Sequence, residues 1–373
     1  MKRLALALAL VFAIVPAATF AGSGLTGSWR RLPSAPVAVN DARTSVWTGK
    51  EMLVFGRVTT RAKDGAVLER AGVAAAYDPA ANTWRRLPPP APNSSFMGYS
   101  AAWTGKEMLV WGQGIRQAFN PVTNAWRQLP SSRLLAVHDG FGLVVWTGRE
   151  LIGWGGGCCG DAFSDGVAYS PRTNKWRAVR SSPLAGSQHP IGAWTGRELI
   201  VFVGGIDPNG NPWPARLARA AAYNPSTNTW RRTAPLPVSP AGGNAVWDGR
   251  EVLVVGGTVG FAYNPRTNAW RKLPRTDSNR FGAAAVWTGK RLLVWGGSKT
   301  AGAGPPVIPL HGLAYDPKAN RWSPLPEAPL LGRLDPAAVW TGHEMILWGG
   351  DRPATPLGSG RFFNDAAAFR PAS

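Results

Sequence analysis

The stretch that decides the fold is Ala283-Ala284-Ala285-Val286-Trp287-Thr288-Gly289-Lys290-Arg291-Leu292-Leu293-Val294-Trp295. Two runs of β-forming residues flank a tight turn that contains glycine, and this pattern is typical of a β-hairpin. The unit occurs seven times in the chain of 373 residues, with Thr-Gly or Asp-Gly after its first tryptophan. These tryptophans are Trp47, Trp103, Trp146, Trp194, Trp247, Trp287 and Trp340.

A second unit follows the first, and the segment from Tyr223 to Trp230 is one example. An aromatic residue and a tryptophan stand seven positions apart. The aromatic residue is followed by Asn, Asp or Ser and then by Pro, and an Asn stands two positions before the tryptophan. Proline fixes φ and asparagine tolerates a left-handed backbone, so this segment predicts a second hairpin. Two hairpins give a four-stranded antiparallel meander of about 49 residues, the size of one propeller blade.

The two ends of the chain complete each other. The last repeat stops at 369–373, before its outer tryptophan, whereas 26–30 begins with the missing Thr-x-x-Trp-Arg pattern. Such an array is a ring cut inside one turn, and pairing its first strand with its last leaves no open sheet edge. We therefore expect an all-β, seven-bladed β-propeller closed by an N-terminal outer strand that pairs with the C-terminal blade. Residues 22–373 form this single domain in the prediction.

Glycine pairs end the second strand of several repeats: Gly204-Gly205, Gly256-Gly257, Gly296-Gly297 and Gly349-Gly350. Together with the Tyr and Trp that follow, they resemble the kelch motif over 26–373. Two repeats depart from it, because Gly56 and Gly112 lack a second glycine. The Trp-Thr-Gly-Lys-Glu turn is similar to that of exported bacterial kelch-type propellers. The resemblance implies an architecture like the seven-bladed central domain of galactose oxidase.

Residues 1–21 have the pattern of a signal peptide. Lys2 and Arg3 precede an apolar run from Leu4 to Val15, and small residues follow up to Ala21. The run is short for a membrane span, and no long apolar stretch follows it. We expect a secreted or periplasmic protein that begins near Gly22 and has no membrane span. An uncleaved anchor is the alternative.

The chain is strongly basic, with 41 Lys and Arg against 21 Asp and Glu. Such a charge attracts anionic surfaces. Because export disfavours nucleic acid, the expected partner is an extracellular glycan, an anionic envelope polymer or a protein, bound by a monomer. Glutamates at the first turn are interpreted as solvated charges, and the arginines after the outer tryptophans as decoration of the rim. The glutamates are Glu51, Glu107, Glu150, Glu198, Glu251 and Glu344.

Several enzyme classes are disfavoured. Copper-radical chemistry resembling that of galactose oxidase needs two tyrosines and two histidines, but the repeats account for every tyrosine except Tyr99. The Ser-x-Asp-x-Gly boxes of sialidase propellers are missing from the sequence. The four histidines show no metal-ligand spacing, so we predict no metal and no cofactor. The adjacent Cys158 and Cys159 leave open a strained vicinal disulfide, two free thiols or a soft-metal site.

In a meander, the two short and uniform turns of each blade lie on one face of the disc. The variable loops lie on the other face, where recognition is usual. We therefore predict a binding module with its ligand site on the variable face. The predicted ligand-binding residues are Asp41, Arg43, Tyr99, His138, Asp139, His189, Trp213, Asn244, Arg280 and Arg333.

An alternative function is a periplasmic sugar-modifying enzyme, similar in class to the kelch-fold sialic-acid epimerases. That family is six-bladed, which argues against close kinship. Its chemistry needs acid–base groups in the central funnel. Here the candidates are His138, Asp139, His189 and Asp335. In the favoured prediction, no residue is catalytic.

Overall fold

A computed structural model gives the structure of the chain. It describes residues 24–40, 43–62, 67–91, 99–112, 115–135, 142–157, 161–204, 219–237, 243–256, 260–275, 280–299, 307–352 and 360–372.

Seven four-stranded antiparallel sheets confirm the predicted seven-bladed propeller. The first strand of the chain is β1 (Gly27–Leu32). Blade 1 is β2 (Arg43–Trp47), β3 (Met52–Arg61), β4 (Val67–Asp78) and β5 (Thr83–Arg86). Blade 2 is β6 (Tyr99–Trp103), β7 (Met108–Gly112), β8 (Ile115–Asn120) and β9 (Ala125–Gln128). Blade 3 is β10 (Leu143–Trp146), β11 (Leu151–Trp154), β12 (Gly166–Ser170) and β13 (Lys175–Val179). A short 3-10 helix, Arg133–Leu135, precedes blade 3.

Three further blades follow in the same order. Blade 4 is β14 (Ile191–Trp194), β15 (Leu199–Val203), β16 (Arg219–Asn224) and β17 (Thr229–Arg232). Blade 5 is β18 (Asn244–Trp247), β19 (Val252–Val255), β20 (Phe261–Asn264) and β21 (Ala269–Lys272). Blade 6 is β22 (Phe281–Trp287), β23 (Leu292–Ser298), β24 (His311–Asp316) and β25 (Arg321–Glu327).

Blade 7 is assembled from both ends of the chain. Its strands are β26 (Ala337–Trp340), β27 (Met345–Trp348) and β30 (Ala366–Pro371), with β1 as the outermost strand. β1 pairs antiparallel with β30 and places Trp29 opposite Phe369. A small hairpin of β28 (Asp351–Arg352) and β29 (Arg361–Phe362) lies between β27 and β30. The predicted closure by an N-terminal outer strand is therefore confirmed.

The first strands of the blades line the centre of the ring. Each contacts the first strand of the next blade, and β26 returns to contact β2. The two turns inside each blade, first to second and third to fourth strand, lie at one end of the strands. We call this end the turn face, and the opposite end, where the remaining connections run, the loop face.

Local hydrogen bonds explain the repeated turn sequence. In blade 1, Thr48 Oγ1 accepts the backbone N–H of Glu51 at 2.8 Å, and Gly49 adopts φ 94°. The threonine closes the turn while glycine takes the left-handed conformation without strain. In the second turn, the asparagine before the outer tryptophan also has a positive φ, as predicted, for example 53° at Asn228.

Seven apolar clusters fill the seven interfaces between blades. Each contains one tryptophan from a first strand and one from an outermost strand, such as Trp194 and Trp230 between blades 3 and 4. The outer indole also reaches the preceding blade: Trp230 Nε1 donates to the Arg180 carbonyl at 2.8 Å. Tryptophans from the first and outermost strands therefore pack at each interface between neighbouring blades.

The described ranges contain no helix that is long and apolar enough to cross a membrane. The predicted signal peptide, residues 1–21, lies outside these ranges and remains a prediction.

Candidate functional site

On the turn face, an ion pair inside a blade joins the first turn to the outer strand. In blade 5, Arg271 donates to both carboxylate oxygens of Glu251, with Nη2 2.6 Å from Oε2. The glutamate side chains of these pairs are only 5–23% exposed. Their interpretation as solvated turn charges is therefore wrong. The pairs are Arg30–Glu344, Arg85–Glu51, Arg127–Glu107, Arg177–Glu150, Arg231–Glu198 and Arg271–Glu251.

The same arginines bridge to the next blade. Arg177 Nη1 donates to the Tyr223 hydroxyl at 2.9 Å, and that hydroxyl donates to Asn228 Oδ1 at 2.7 Å. At four other interfaces the arginine–tyrosine pairs are Arg30–Tyr77, Arg127–Tyr169, Arg231–Tyr263 and Arg271–Tyr315. These arginine–glutamate pairs therefore link the first turn and outer strand of a blade to the tyrosine of the next blade.

Blade 6 departs from this pattern at both positions. Arg291 occupies the glutamate position and Ser323 the arginine position. Arg291 Nε lies 3.3 Å from Asp316 Oδ2 instead. The two changes occur together, as expected if a glutamate without its arginine would be a half-buried, unpaired charge.

On the loop face, the mouth of the central channel carries a cluster of three charged residues. Arg43 begins β2 of blade 1, and its Nη2 lies 2.5 Å from Asp351 Oδ1 in blade 7. Leu334 and Asp351 exchange backbone hydrogen bonds of 2.7 and 3.0 Å, so Asp335 lies beside this pair. We call Arg43, Asp335 and Asp351 the mouth cluster.

Asp335 is the distinctive member of the mouth cluster. It adopts φ 46°, in the left-handed region that Asp and Asn tolerate better than most residues, and it is the one non-glycine residue of the described ranges with a positive φ outside the second turns. A Cβ built on Gly282 would lie 2.9 Å from Asp335 Oδ1, so the glycine makes room for the carboxylate. Within the described residues, no side chain or amide donates to this carboxylate.

Partial desolvation raises the pKa of the Asp335 carboxyl, although the residue is exposed to solvent. The neighbouring Asp351 charge raises it further, whereas Arg43 lowers it. Burial also raises the pKa of Asp351, against the effect of Arg43. With both carboxyls ionised the mouth cluster has a net negative charge, which suits a ligand that offers hydroxyl or amine donors.

Two of the predicted ligand-binding arginines lie beneath the surface. Arg333 is 0% exposed, and its Nη1 donates to Asp365 and to the Gly349 carbonyl. Arg280 is 3% exposed and donates to the Gly296 carbonyl at 3.2 Å. Both arginines stand seven residues before a first-strand tryptophan. Each donates to the carbonyl of the first glycine in the Gly-Gly pair of its own blade.

Asn244 and His189 lie on separate parts of the loop face. Asn244 Nδ2 donates to the Ala283 carbonyl at 2.9 Å and thereby joins blade 5 to blade 6. His189 is exposed, and partial desolvation lowers the pKa of its imidazole. His189 and Asp335 each stand five residues before a first-strand tryptophan, in blades 4 and 7. The ring therefore places them on opposite sides of the channel.

The other predicted site residues lie outside the described ranges: Asp41, His138, Asp139, Trp213, Cys158 and Cys159. Tyr99 begins β6, and its backbone alone is described. Their predicted roles remain predictions. In the part of the chain that the structure describes, no group of three His, Cys, Asp or Glu side chains could hold a metal ion.

Sequence reasoning missed Asp351. The residue directly follows Gly349-Gly350, and the sequence gives no sign that β28 would bring it to Arg43 at the other end of the chain. Its position after the last Gly-Gly pair was the available signal, because that segment enters the loop face.

Comparison with known proteins supports the fold. No protein-family model matches the chain, and no curated protein does. Among solved structures, the chain is similar to YjhT, with a TM-score of 0.51 and 15% sequence identity. The match covers 90% of this chain and 95% of the YjhT chain. At this identity the likeness shows the propeller architecture alone.

Proposed function

We propose that this protein is an exported kelch-type propeller that binds a polar, hydroxyl-rich ligand such as a glycan at its loop face. The signal-peptide pattern at 1–21 supports export, and the Gly-Gly repeats support the kelch-type assignment. The observation that carries it is the Asp335 carboxylate, which has access to solvent and no hydrogen-bond donor among the described residues.

The mouth cluster has the chemistry that sugar recognition uses. A carboxylate accepts hydrogen bonds from two adjacent hydroxyls. The Arg43 side chain is only 7% exposed, and its ion pair fixes Asp351, so a ligand would meet two prearranged carboxylates. The rigid propeller beneath them supports this arrangement.

Glycan-array binding followed by titration of the best neutral sugar tests the proposal. We expect Asp335→Asn to weaken binding by about tenfold, since it removes one charge-assisted hydrogen bond. Asp161→Asn is the matched control, because Asp161 is an exposed carboxylate of the same face away from the cluster. Equal affinities for Asp335→Asn and the unaltered protein would overturn the proposal.

A sugar-modifying enzyme is the second candidate, and the raised pKa of Asp335 favours it. A carboxyl that stays protonated closer to neutral pH can act as a general acid. NMR exchange spectroscopy on candidate sugars would detect anomeric or epimer exchange catalysed by the protein. Unchanged exchange rates in Asp335→Asn and His189→Ala would remove this candidate.

A further inference from the structure

The tips of the first turns form a ring of cations on the turn face. Each blade places one exposed residue between the turn glycine and the glutamate position, and within the described ranges none of these residues takes part in an ion pair. Six are Lys or Arg, and one is histidine. They are Lys50, Lys106, Arg149, Arg197, Arg250, Lys290 and His343. Because first turns surround the channel opening, the ring concentrates positive charge there.

An open groove of about 1400 Å³ crosses this ring over blades 2 to 4. Its walls come from the first turns of these blades and from the second turns of blades 3 and 4, and it includes the half-buried Trp146 and Trp194. The volume exceeds the roughly 300–1,000 Å³ of ordinary small-molecule pockets, and the groove is not enclosed. The groove is therefore large enough for a segment of a polymer.

The charges of the groove are unbalanced. Its two acidic residues are each neutralised by an arginine: Glu107 by Arg127, and Glu150 by Arg177. Four basic side chains in the groove have no ion pair among the described residues: Lys106, Arg149, Arg172 and Arg197. The groove is thus positive, whereas the mouth cluster on the other face is negative when both aspartates are ionised.

We infer that this groove binds a linear acidic polysaccharide. Cations on successive turns can pair with carboxylates on successive sugar residues. The indoles of Trp146 and Trp194 offer apolar surface for the C–H faces of the sugar rings. A neutral glycan would leave these four basic side chains without ion-pair partners. This surface is separate from the mouth cluster, so it does not depend on the function proposed above.

The test uses a fluorescently labelled oligomer of galacturonic acid, titrated at low salt and followed by anisotropy. We expect the double variant Arg149→Ala/Arg197→Ala to bind at least about tenfold more weakly than the unaltered protein. The matched control is Arg250→Ala/Lys290→Ala, which removes two cations from the same ring outside the groove, and we expect less than about a threefold change. All four side chains are exposed turn tips, so the fold should remain intact.

Three outcomes would overturn the inference. One is failure of the unaltered protein to bind the oligomer. Another is an equal loss in both double variants, which would mean diffuse attraction to the basic surface. The third is tighter binding of a single-stranded DNA of equal charge with the same dependence on Arg149 and Arg197, which would identify the groove as a nucleic-acid site. Titration with Asp335→Asn should give the affinity of the unaltered protein, because this residue lies on the other face.

Discussion

On the turn face, Glu107 Oε2 lies 2.7 Å from Arg127 Nη2. Hydrogen bonds from Arg127 lower the pKa of the Glu107 carboxyl. On the loop face, burial raises the pKa of Asp335, and no donor among the described residues reaches it. The two faces of the propeller therefore contain carboxyl groups whose pKa values are shifted in opposite directions. A lowered pKa means that the folded state favours the charge, whereas a raised pKa means that the fold opposes it. The first kind supports the ring, and the second marks a candidate site.

The largest expected effect comes from breaking the turn-face network where the ring closes. Removing residues 22–33 deletes β1, and with it Trp29 and the Arg30–Glu344 pair. We expect the melting temperature to fall by on the order of 10 °C, because the apolar cluster between blades 6 and 7 opens to water. Differential scanning calorimetry measures it, with removal of residues 22 and 23 alone as the control. An unchanged melting temperature in a monodisperse sample would contradict ring closure by β1.

The next effect concerns one arginine of the network. Arg271→Ala leaves the buried Glu251 without its partner and removes the hydrogen bond to Tyr315 in blade 6. We expect a loss of about 1–2 kcal/mol in the free energy of unfolding, measured by urea denaturation. Arg291→Ala in blade 6 removes a longer pair with Asp316, whose carboxylate is more exposed than that of Glu251, and should cost less than about 0.5 kcal/mol. Equal losses in the free energy of unfolding would show that the Arg271–Glu251 pair stabilises the fold no more than the Arg291–Asp316 pair does.

The tyrosine hydroxyl that links neighbouring blades can be removed at one interface and introduced at another. Tyr223→Phe loses the hydrogen bonds with Arg177 and Asn228 and should destabilise the protein by about 1 kcal/mol. Phe119→Tyr is the reverse experiment, because Arg85 and Asn124 already stand 3.5 Å apart at that interface. We expect it to stabilise the fold by about 0.5 kcal/mol in the same urea assay. Destabilisation by Phe119→Tyr would mean that the pocket has no room for the hydroxyl.

The smallest effect on stability, a slight stabilisation, is expected at the mouth cluster. Since the pKa of Asp335 is raised in the folded state, its ionisation opposes folding once the pH exceeds the ordinary value of 3.8. Asp335→Asn should therefore stabilise the protein at pH 7, by no more than about 0.5 kcal/mol after screening by solvent. Below pH 3.8 the carboxyl is protonated in both states, and the gain should vanish. Urea unfolding at pH 3 and pH 7 measures the difference, and a destabilised variant at pH 7 would contradict the assignment.

Much of the fold followed from the sequence because the repeat is expressed in local chemistry. Thr-Gly turns, alternating β runs and the constant spacing of Tyr and Trp each act over a few residues, so the number of blades and the closing strand could be predicted. The charged side chains were harder. Glu344 and Arg30 are far apart in the chain, and their pairing depends on β1 joining the last blade.

The candidate site was only partly predictable. Arg43 and Asp335 were predicted as residues of the variable face and the central funnel, and both lie in the mouth cluster. Arg280 and Arg333 were predicted on the same face, but their side chains turn inward to the Gly-Gly carbonyls. Whether a long side chain at the start of a strand points into the channel or under a loop depends on the loop backbone, which the repeat does not encode.

The sequence by itself determined a ring of seven hairpin pairs. Turn formation and strand patterning are local properties, and each repeat contains the residues that produce them. Only the tertiary structure decided which charges are neutralised and which remain open to a ligand. That outcome depends on distances between blades and on the two chain ends meeting, and electrostatic free energies change steeply with such distances and with burial.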